Sequence, residues 1–531
     1  MVSVVVAALL RLYLASQVDS ISSDGVRYVE TARHFYHGSW REGLTAFDPP
    51  GYALAIAAAY PLFHDWERAG TAVSLVAGML ILAPLLGFLR VCRVRGPGLA
   101  ATMIGFALCP YPARYASVVR CEALYGLLFM VAVWAVASYL VKERRWFLVV
   151  AGGAAGLAYV VRPEGIGLTL ACGAAIGLAF RDAGRRLAAA FKPFAIVTLI
   201  ALAVATPYVV YLKSDTGRWT LSRKAANVVS LGIKTATGEG VLIEQAESDR
   251  QSFLGVVSKQ FHLFARKLAV DSVRTFIAFA DCLYYAYVPF LLIGIAIGRD
   301  RFGSVNWLLH VIIWFYLATF AIMYVDRRFY TALTPLAMVW SGAGFVWLWK
   351  WLAERQRTRT AIVVAAVVLA AILGKVLRIP RADQYARPLA REIARLTHGG
   401  AVVARVPQVA FYAGTKPSRS KFPIDRMQLS PWLESPETWL VVTEGDLTPD
   451  AESMLSWSPA ARLISTVTEK KNVVRLYRLG SRVRESSAAD PRSLDPSIPR
   501  SLDPSIPRSL DPSIPRSLDP SIPRSLDPLI P

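Results

Sequence analysis

Long apolar runs broken by short polar or basic ones fill the chain as far as residue 378. They lie at 1–16, 66–89, 99–110, 116–141, 146–161, 165–180, 193–212, 277–298, 304–324, 329–349 and 360–378. A helix rises about 1.5 Å per residue against a bilayer core of roughly 30 Å, so about 20 apolar residues cross it. The runs at 1–16, 99–110 and 146–161 are short by that measure; with them the pattern predicts about eleven spans. Residues 51–63 are apolar but short and end at Pro61, which predicts a helix that dips in beside the first span.

A polar island, Ser22 to Tyr52, interrupts this series. Within it Val26, Tyr28, Val29, Ala32 and Phe35 recur at spacings of three and four. That places them on one face and predicts an amphipathic helix lying on the membrane surface. Asp24 stands where a helix N-cap belongs. Asp48 precedes Pro49-Pro50, a pair that restarts a helix, and an acid there complements the helix dipole. Arg11 interrupts the first apolar run, and no charged n-region precedes it, which argues against a signal peptide. An arginine inside a span faces the interior of a bundle.

After residue 379 the character changes. REIARL predicts a helix, and AVVAR, TWLVVTE, LISTV and VVRLYRL are short β-rich runs separated by turn residues. From Ser493 the octapeptide SLDPSIPR repeats, with two prolines in every eight residues and nothing to build a core. The expected organisation is therefore a polytopic all-α membrane domain at 1–379, a small α/β domain at 380–480 and a disordered Pro-rich tail at 481–531.

Charge orients the first of these. Basic residues cluster at Arg90, Arg93 and Arg95; at Lys142, Arg144 and Arg145; at Arg181, Arg185, Arg186 and Lys192; at Arg299 and Arg301; and at Lys350, Arg355, Arg357 and Arg359. The alternate loops are poorer in them, so the basic loops are predicted to be cytoplasmic. The loops at 17–50 and 213–276 and everything beyond 379 then lie outside, on the periplasmic side of a bacterial inner membrane. The net charge of +21 is thus a topogenic signal and not the mark of a nucleic-acid partner. At 54% hydrophobic and 18% charged over 531 residues, the chain is too apolar for a soluble protein of this size. Its five cysteines have no zinc-type or CxxC spacing.

Candidate chemistry collects at the predicted outer face. Asp24 is a helix cap, a general base for a hydroxyl in a partly dry site, or both. Asp48 is a helix-terminus stabiliser or a second acid. Three further clusters share that face: Arg120-Cys121-Glu122, Arg162-Pro163-Glu164-Gly165 and Asp326-Arg327-Arg328. Their arginines either anchor helix ends at headgroups or grip a phosphate bidentately.

Taken together, Arg11, then Asp24-x-x-x-Tyr28-x-x-x-Ala32, Gly38, Pro49-Pro50-Gly51-Tyr52, Glu122, Arg162-Pro163-Glu164-Gly165 and Arg327-Arg328-Phe329-Tyr330 with Pro335 resemble GT-C membrane glycosyltransferases. The pattern is similar to the lineage of protein O-mannosyltransferases, lipid A aminoarabinose transferases and lipopolysaccharide galacturonosyltransferases, over residues 1–350. The resemblance implies transfer of a sugar, hexosyl or pentosyl, from a polyprenyl-phosphate donor, with no nucleotide sugar used directly. The hydroxyl acceptor is a lipid, a glycan or a protein, and membrane lipids surround the enzyme. It implies Asp24 as catalytic acid, with Asp48 and Glu122 the next candidates. Tyr28, Arg120, Arg162, Glu164, Arg327 and Arg328 are the substrate-binding candidates. Many relatives carry a charged residue where this chain has Phe47, which leaves the role of Asp48, and any divalent metal, open. The reading from another class is a transporter or flippase, which calls for ionisable groups at mid-span depth and internally repeated broken helices.

Overall fold

A computed structural model describes residues 2–243, 251–378, 386–396, 401–415, 417–418, 424–434, 438–443, 445–469 and 472–480. The octapeptide tail expected at 481–531 lies outside the described residues. The chain divides after residue 379 into two units.

The first unit is helical. Seven of its helices are long and apolar enough to cross a membrane: Trp66–Val91, Glu122–Lys142, Pro163–Asp182, Ala188–Thr216, Val305–Ile322, Arg327–Glu354 and Thr358–Leu377. A bent pair, Phe261–Leu283 with Tyr285–Ala296, makes an eighth when it is counted as one broken span. The expected total of about eleven is reached only by adding the shorter apolar helices Val2–Ser16, Gly96–Ala107 and Trp146–Val161. Gly51–Phe63 is also short, as its sequence predicts.

The bent pair departs from the single span expected at 277–298. Its first helix begins at Phe261, inside the stretch expected to be a loop. It stops at Tyr284, which takes the left-handed value φ 76°. The chain turns by 91° there and re-enters a helix with Pro289 in its first turn. Hydropathy missed this helix because Arg266, Lys267, Asp271 and Arg274 dilute it. Lys267 and Asp271 are buried and pair with each other one turn apart, Nζ to Oδ2 2.9 Å. The rest of the predicted outer loop is largely helical too, with Ala225–Thr237 and Phe253–Lys259 joined around Val229, Ile233, Val256 and Leu263.

Two close approaches seat the polar island. The helix Ser23–Tyr36 starts at Ser22, whose side chain accepts from Gly25 N. So Ser22, and not Asp24, is the cap. A Cβ on Gly25 would lie 2.9 Å from the carbonyl oxygen of Val119, so only glycine lets this helix end sit beside the Arg120-Cys121-Glu122 turn. Gly51 does the same for the next helix, where a Cβ would meet the Val160 carbonyl oxygen at 2.8 Å. That brings Asp48 next to the turn containing Arg162. The apolar face of Ser23–Tyr36 does not lie open to a membrane surface: Val26, Val29, Ala32 and Phe35 are all buried in protein.

The second unit is a five-stranded sheet with helices. Strands β1 (Ala401–Ala404), β2 (Pro417–Ser418), β3 (Thr438–Val442), β4 (Ala461–Glu469) and β5 (Asn472–Leu479) run in the order β2-β1-β3-β5-β4. β1 is parallel to β2 and β3, whereas β5 is antiparallel to β3 and β4. Successive strand residues face opposite sides. Val402, Trp439 and Val441 accordingly join Leu389, Ile393 and Val409 in one core. Val403, Leu440 and Val442 join Leu429 and Leu455 in another. Both faces of β3 are covered, which explains why its five residues are all buried.

Candidate active site

Asp24 sits in the first turn of its helix, with both carboxylate oxygens held by guanidinium groups. Arg27 Nη2 donates to Oδ1 at 2.8 Å, and Arg328 Nη1 donates to Oδ2 at 2.6 Å. Arg27 lies three residues on along the same helix, the spacing at which side chains meet. Its Nε reaches Asp48 Oδ2 at 3.0 Å, so one guanidinium joins the two acids. Lys224, at the start of the helix Ala225–Thr237, donates to the other oxygen of Asp48. Its ammonium also lies 5.3 Å from the centroid of the Phe47 ring. Phe47 thus lines the lysine that neutralises Asp48. Asp48 is 4% exposed and is held as an ion-pair partner of Lys224 and Arg27, and it makes no side-chain cap of the helix that follows.

Electrostatics follow from this geometry. Burial alone pushes the Asp24 pKa up, but Arg27, Arg328, Arg120 and Lys224 outweigh it and hold the group far below the usual carboxylate range. Asp48 behaves alike: burial raises its pKa, and Lys224 with Arg27 brings it below the ordinary value.

A second layer adjoins the first. Arg162 Nη1 is 3.5 Å from Glu122 Oε1 and its Nη2 is 3.2 Å from Glu164 Oε1. The Phe329 ring lies 4.7 Å from the Arg162 guanidinium and 5.2 Å from that of Arg328. Arg162 is nearly buried, so it does not serve as a headgroup anchor. Tyr316 donates to the Glu164 carbonyl oxygen at 3.0 Å and fixes that turn. Asp326 caps the short helix Arg327–Leu333 through Arg328 N and pairs with Arg328 Nε at 3.2 Å.

Tyr28 supports the site from below. Its hydroxyl donates to Cys121 Sγ at 3.1 Å, and its ring meets Tyr52 edge-on. Tyr52 and Ser74 share a hydrogen bond, and Ser74 donates to the Arg120 carbonyl oxygen at 2.9 Å. Arg120 itself is buried over the Tyr115 ring. The cluster thus sets five cations (Arg27, Arg120, Arg162, Lys224, Arg328) among five carboxylates (Asp24, Asp48, Glu122, Glu164, Asp326). Among the described residues no group of three or more His, Cys, Asp or Glu is disposed to hold a metal ion.

Of the residues singled out from sequence, Asp24, Asp48, Glu122, Tyr28, Arg120, Arg162, Glu164 and Arg328 converge here. Arg327 does not: it turns away to Tyr111 and Asp281. Arg27 and Lys224 were missed. The spacing from Asp24 points to Arg27. Lys224 has a fainter signal, the adjacent pair Arg223-Lys224 in a loop that the charge pattern places outside, where basic residues are sparse.

Residues 48–211 match the family described as dolichyl-phosphate-mannose-protein mannosyltransferase. No curated protein matches the chain in sequence. Among solved structures, ArnT from Cupriavidus metallidurans in the apo state superposes with a TM-score of 0.58 at 12% identity, covering 90% of this chain and 97% of that one. The same protein bound to undecaprenyl phosphate gives 0.52 at 12% identity with the same coverage. The archaeal oligosaccharyltransferase AglB from Archaeoglobus fulgidus, in complex with an inhibitory peptide and a dolichol-phosphate, gives 0.51 at 12% identity, over 82% of this chain and 69% of that one. The apolar helices make the protein an integral membrane protein, and its fold is that of the GT-C membrane glycosyltransferases.

Proposed function

We propose that the protein transfers a sugar from a polyprenyl-phosphate donor to a hydroxyl acceptor, with Asp24 as the general base and Arg328 as the principal phosphate ligand. The observation that carries this reading is the Asp24–Arg328 pair, which sets a carboxylate against a guanidinium at the end of a bundle of apolar helices. The structural neighbours carry undecaprenyl phosphate and dolichol-phosphate, and the matched family is named for a dolichyl-phosphate donor, which supports the donor class.

The chemistry needs few parts. The acceptor oxygen attacks the anomeric carbon while the bond from that carbon to the phosphate oxygen breaks. The acceptor proton passes to Asp24, and the polyprenyl phosphate leaves with its new charge on the phosphate. Such a leaving group needs cations more than a strong acid. Arg328 supplies the nearest one, with Arg27 and Lys224 beside it.

Charge balance adds a condition. A doubly paired Asp24 is a weak base, and the cluster already sets as many carboxylates as cations. An entering phosphate therefore competes with a carboxylate for its guanidinium. When Arg328 turns to the phosphate, Asp24 loses a counter-charge and its basicity rises. The donor thus switches on the base that its own transfer requires. Glu122 and Glu164 hold Arg162 against the Phe329 ring and so brace Arg328 on its other side.

The site itself leaves the sugar and the acceptor open, and one assay reads both. Membranes containing the protein are supplied with a panel of radiolabelled polyprenyl-phosphate sugars, and the labelled product is analysed by mass. Transfer from one of these donors, lost in a Arg328→Ala, Asp24→Asn double variant, supports the reading. No transfer from any donor contradicts it.

A further inference from the structure

At the same end of the helical unit a second group of cations gathers about one ring. The guanidinium of Arg327 lies 5.0 Å from the centroid of Tyr111, that of Arg114 5.9 Å and the ammonium of Lys375 5.6 Å. The carboxylate paired with them is Asp281, whose Oδ2 is 3.3 Å from both Arg327 Nη1 and the Tyr111 hydroxyl. Among the described residues, three cations against one carboxylate leave an excess of positive charge, unlike the balanced cluster around Asp24. Like charges held together in a half-buried setting repel strongly unless an anion joins them. An anionic acceptor beside these side chains offsets that excess.

The surroundings say what carries that acceptor. Lys375 lies in the last turn of Thr358–Leu377. That span is strongly apolar, yet only 17% of its apolar window is buried inside the protein. Ile362, Val363, Val367, Leu369 and Leu377 are exposed along it. An exposed apolar flank that ends at a cluster of cations around a phenol matches an amphiphile with an anionic head. Guanidinium groups and a hydroxyl suit phosphate oxygens.

We propose that Tyr111, Arg114, Arg327 and Lys375 bind the phosphate of an anionic membrane lipid whose tails run along the exposed flank of Thr358–Leu377. This site is distinct from the Asp24 cluster, although Arg327 and Arg328 are consecutive, and it stands whether or not sugar transfer is demonstrated. The lipid neutralises the excess charge and docks the last span against the short helix Pro110–Tyr115. Arg114 already holds that junction by donating to the carbonyl oxygens of Lys375 and Arg378.

The test uses the full chain, delipidated in neutral detergent, with binding followed by native mass spectrometry. The probes are short-chain phosphatidic acid, short-chain phosphatidylcholine and inorganic phosphate. Phosphatidic acid is expected to bind saturably and at least about tenfold more tightly than the other two. Lys375→Gln and Arg327→Gln are each expected to weaken it about tenfold or more, the usual loss of a charge-assisted contact. Arg357→Gln, an exposed change at the opposite end of the same span, should leave it unchanged. Arg114 is spared because its loss would loosen the end of the last span. A melting curve accompanies each variant, and Lys375→Gln, at a partly buried position in the last turn of its helix, decides if Arg327→Gln is unstable. Equal binding of phosphatidic acid and phosphatidylcholine would overturn the proposal. So would binding of inorganic phosphate as tight as that of the lipid, or parental affinity in Lys375→Gln.

Discussion

Arg328 Nη1 lies 2.6 Å from Asp24 Oδ2, a contact that spans 304 positions of sequence. It joins the first polar island to the turn that opens the span Arg327–Glu354. It also couples the proposed base to the proposed phosphate ligand, so the two cannot be altered independently.

Loss of the Arg328 guanidinium removes a charge-assisted phosphate contact. Arg328→Ala is expected to lower kcat/KM for the donor by about ten- to a hundredfold, from a contact of about 1.5–3 kcal/mol. Arg327→Ala, whose side chain faces Tyr111 and Asp281, should change donor kcat/KM far less. Steady-state kinetics with varied donor distinguish the two, and equal effects would remove the distinction drawn between these neighbours.

The pH dependence carries a sign. Because the arginines and Lys224 hold Asp24 below its usual value, the stabilisation from its ion pairs is fully present above about pH 4, the ordinary aspartate range. It is lost as pH falls through the lower, folded-state value. In the free enzyme, kcat/KM should therefore show no acid limb from Asp24 above about pH 4. In the donor complex Arg328 is shared with phosphate, so the acid limb of kcat should lie at higher pH than that of kcat/KM. Coincident limbs would show that Asp24 keeps both arginines when donor binds.

Lys224 and Asp48 form a pair that a double-mutant cycle can isolate. Breaking a fully buried pair costs about 3–5 kcal/mol. Lys224 is 22% exposed, so solvent reduces the expected cost of Lys224→Gln to about 1–3 kcal/mol. Asp48→Asn should cost less in the Lys224→Gln background than in the parent, because there only the contact with Arg27 remains to be lost. Thermal melting of the four proteins measures the coupling, and strictly additive losses would show that the two side chains do not interact.

The apolar runs carried most of the helical unit, because a span advertises itself by length and hydropathy alone. The β-rich runs after residue 400 were equally legible, since alternating or wholly apolar strands bounded by turns have few other readings. What failed was what depends on distant partners. The pattern around Val26 and Phe35 shows which helix face is apolar, but protein and not lipid covers it. The helix Phe261–Leu283 hid behind a charged pair that neutralises itself in the interior. Asp24 was legible as a candidate because an acid amid membrane segments is costly. Its nearest distant partner, Arg328, was named, but nothing in the spacing linked the two. Lys224 acquires its meaning only when the chain returns to Asp48.

Orientation follows from the charge pattern. The basic loops predict that the sheet-bearing unit and the Asp24 end lie outside. Alkaline phosphatase fused at about residue 400 should be active, and fused at about residue 186 inactive. The reverse pattern would move the Asp24 cluster to the cytoplasmic face.

The most direct measurement is the turnover of Asp24→Asn at saturating donor. Ser22 caps the helix, so Asp24 is not needed for that task. Asparagine keeps the size and one acceptor oxygen, so it can accept from Arg27 or from Arg328 but not from both, and its amide oxygen takes no proton at neutral pH. If Asp24 is the base, kcat falls by about 10²–10⁴-fold, the usual contribution of a positioned base. The donor KM stays level or drops, because Arg328 no longer has a carboxylate to compete with the phosphate. A kcat within a few fold of the parent, in protein that inserts and melts normally, would contradict the assignment and pass the role of base to Asp48 or Glu122.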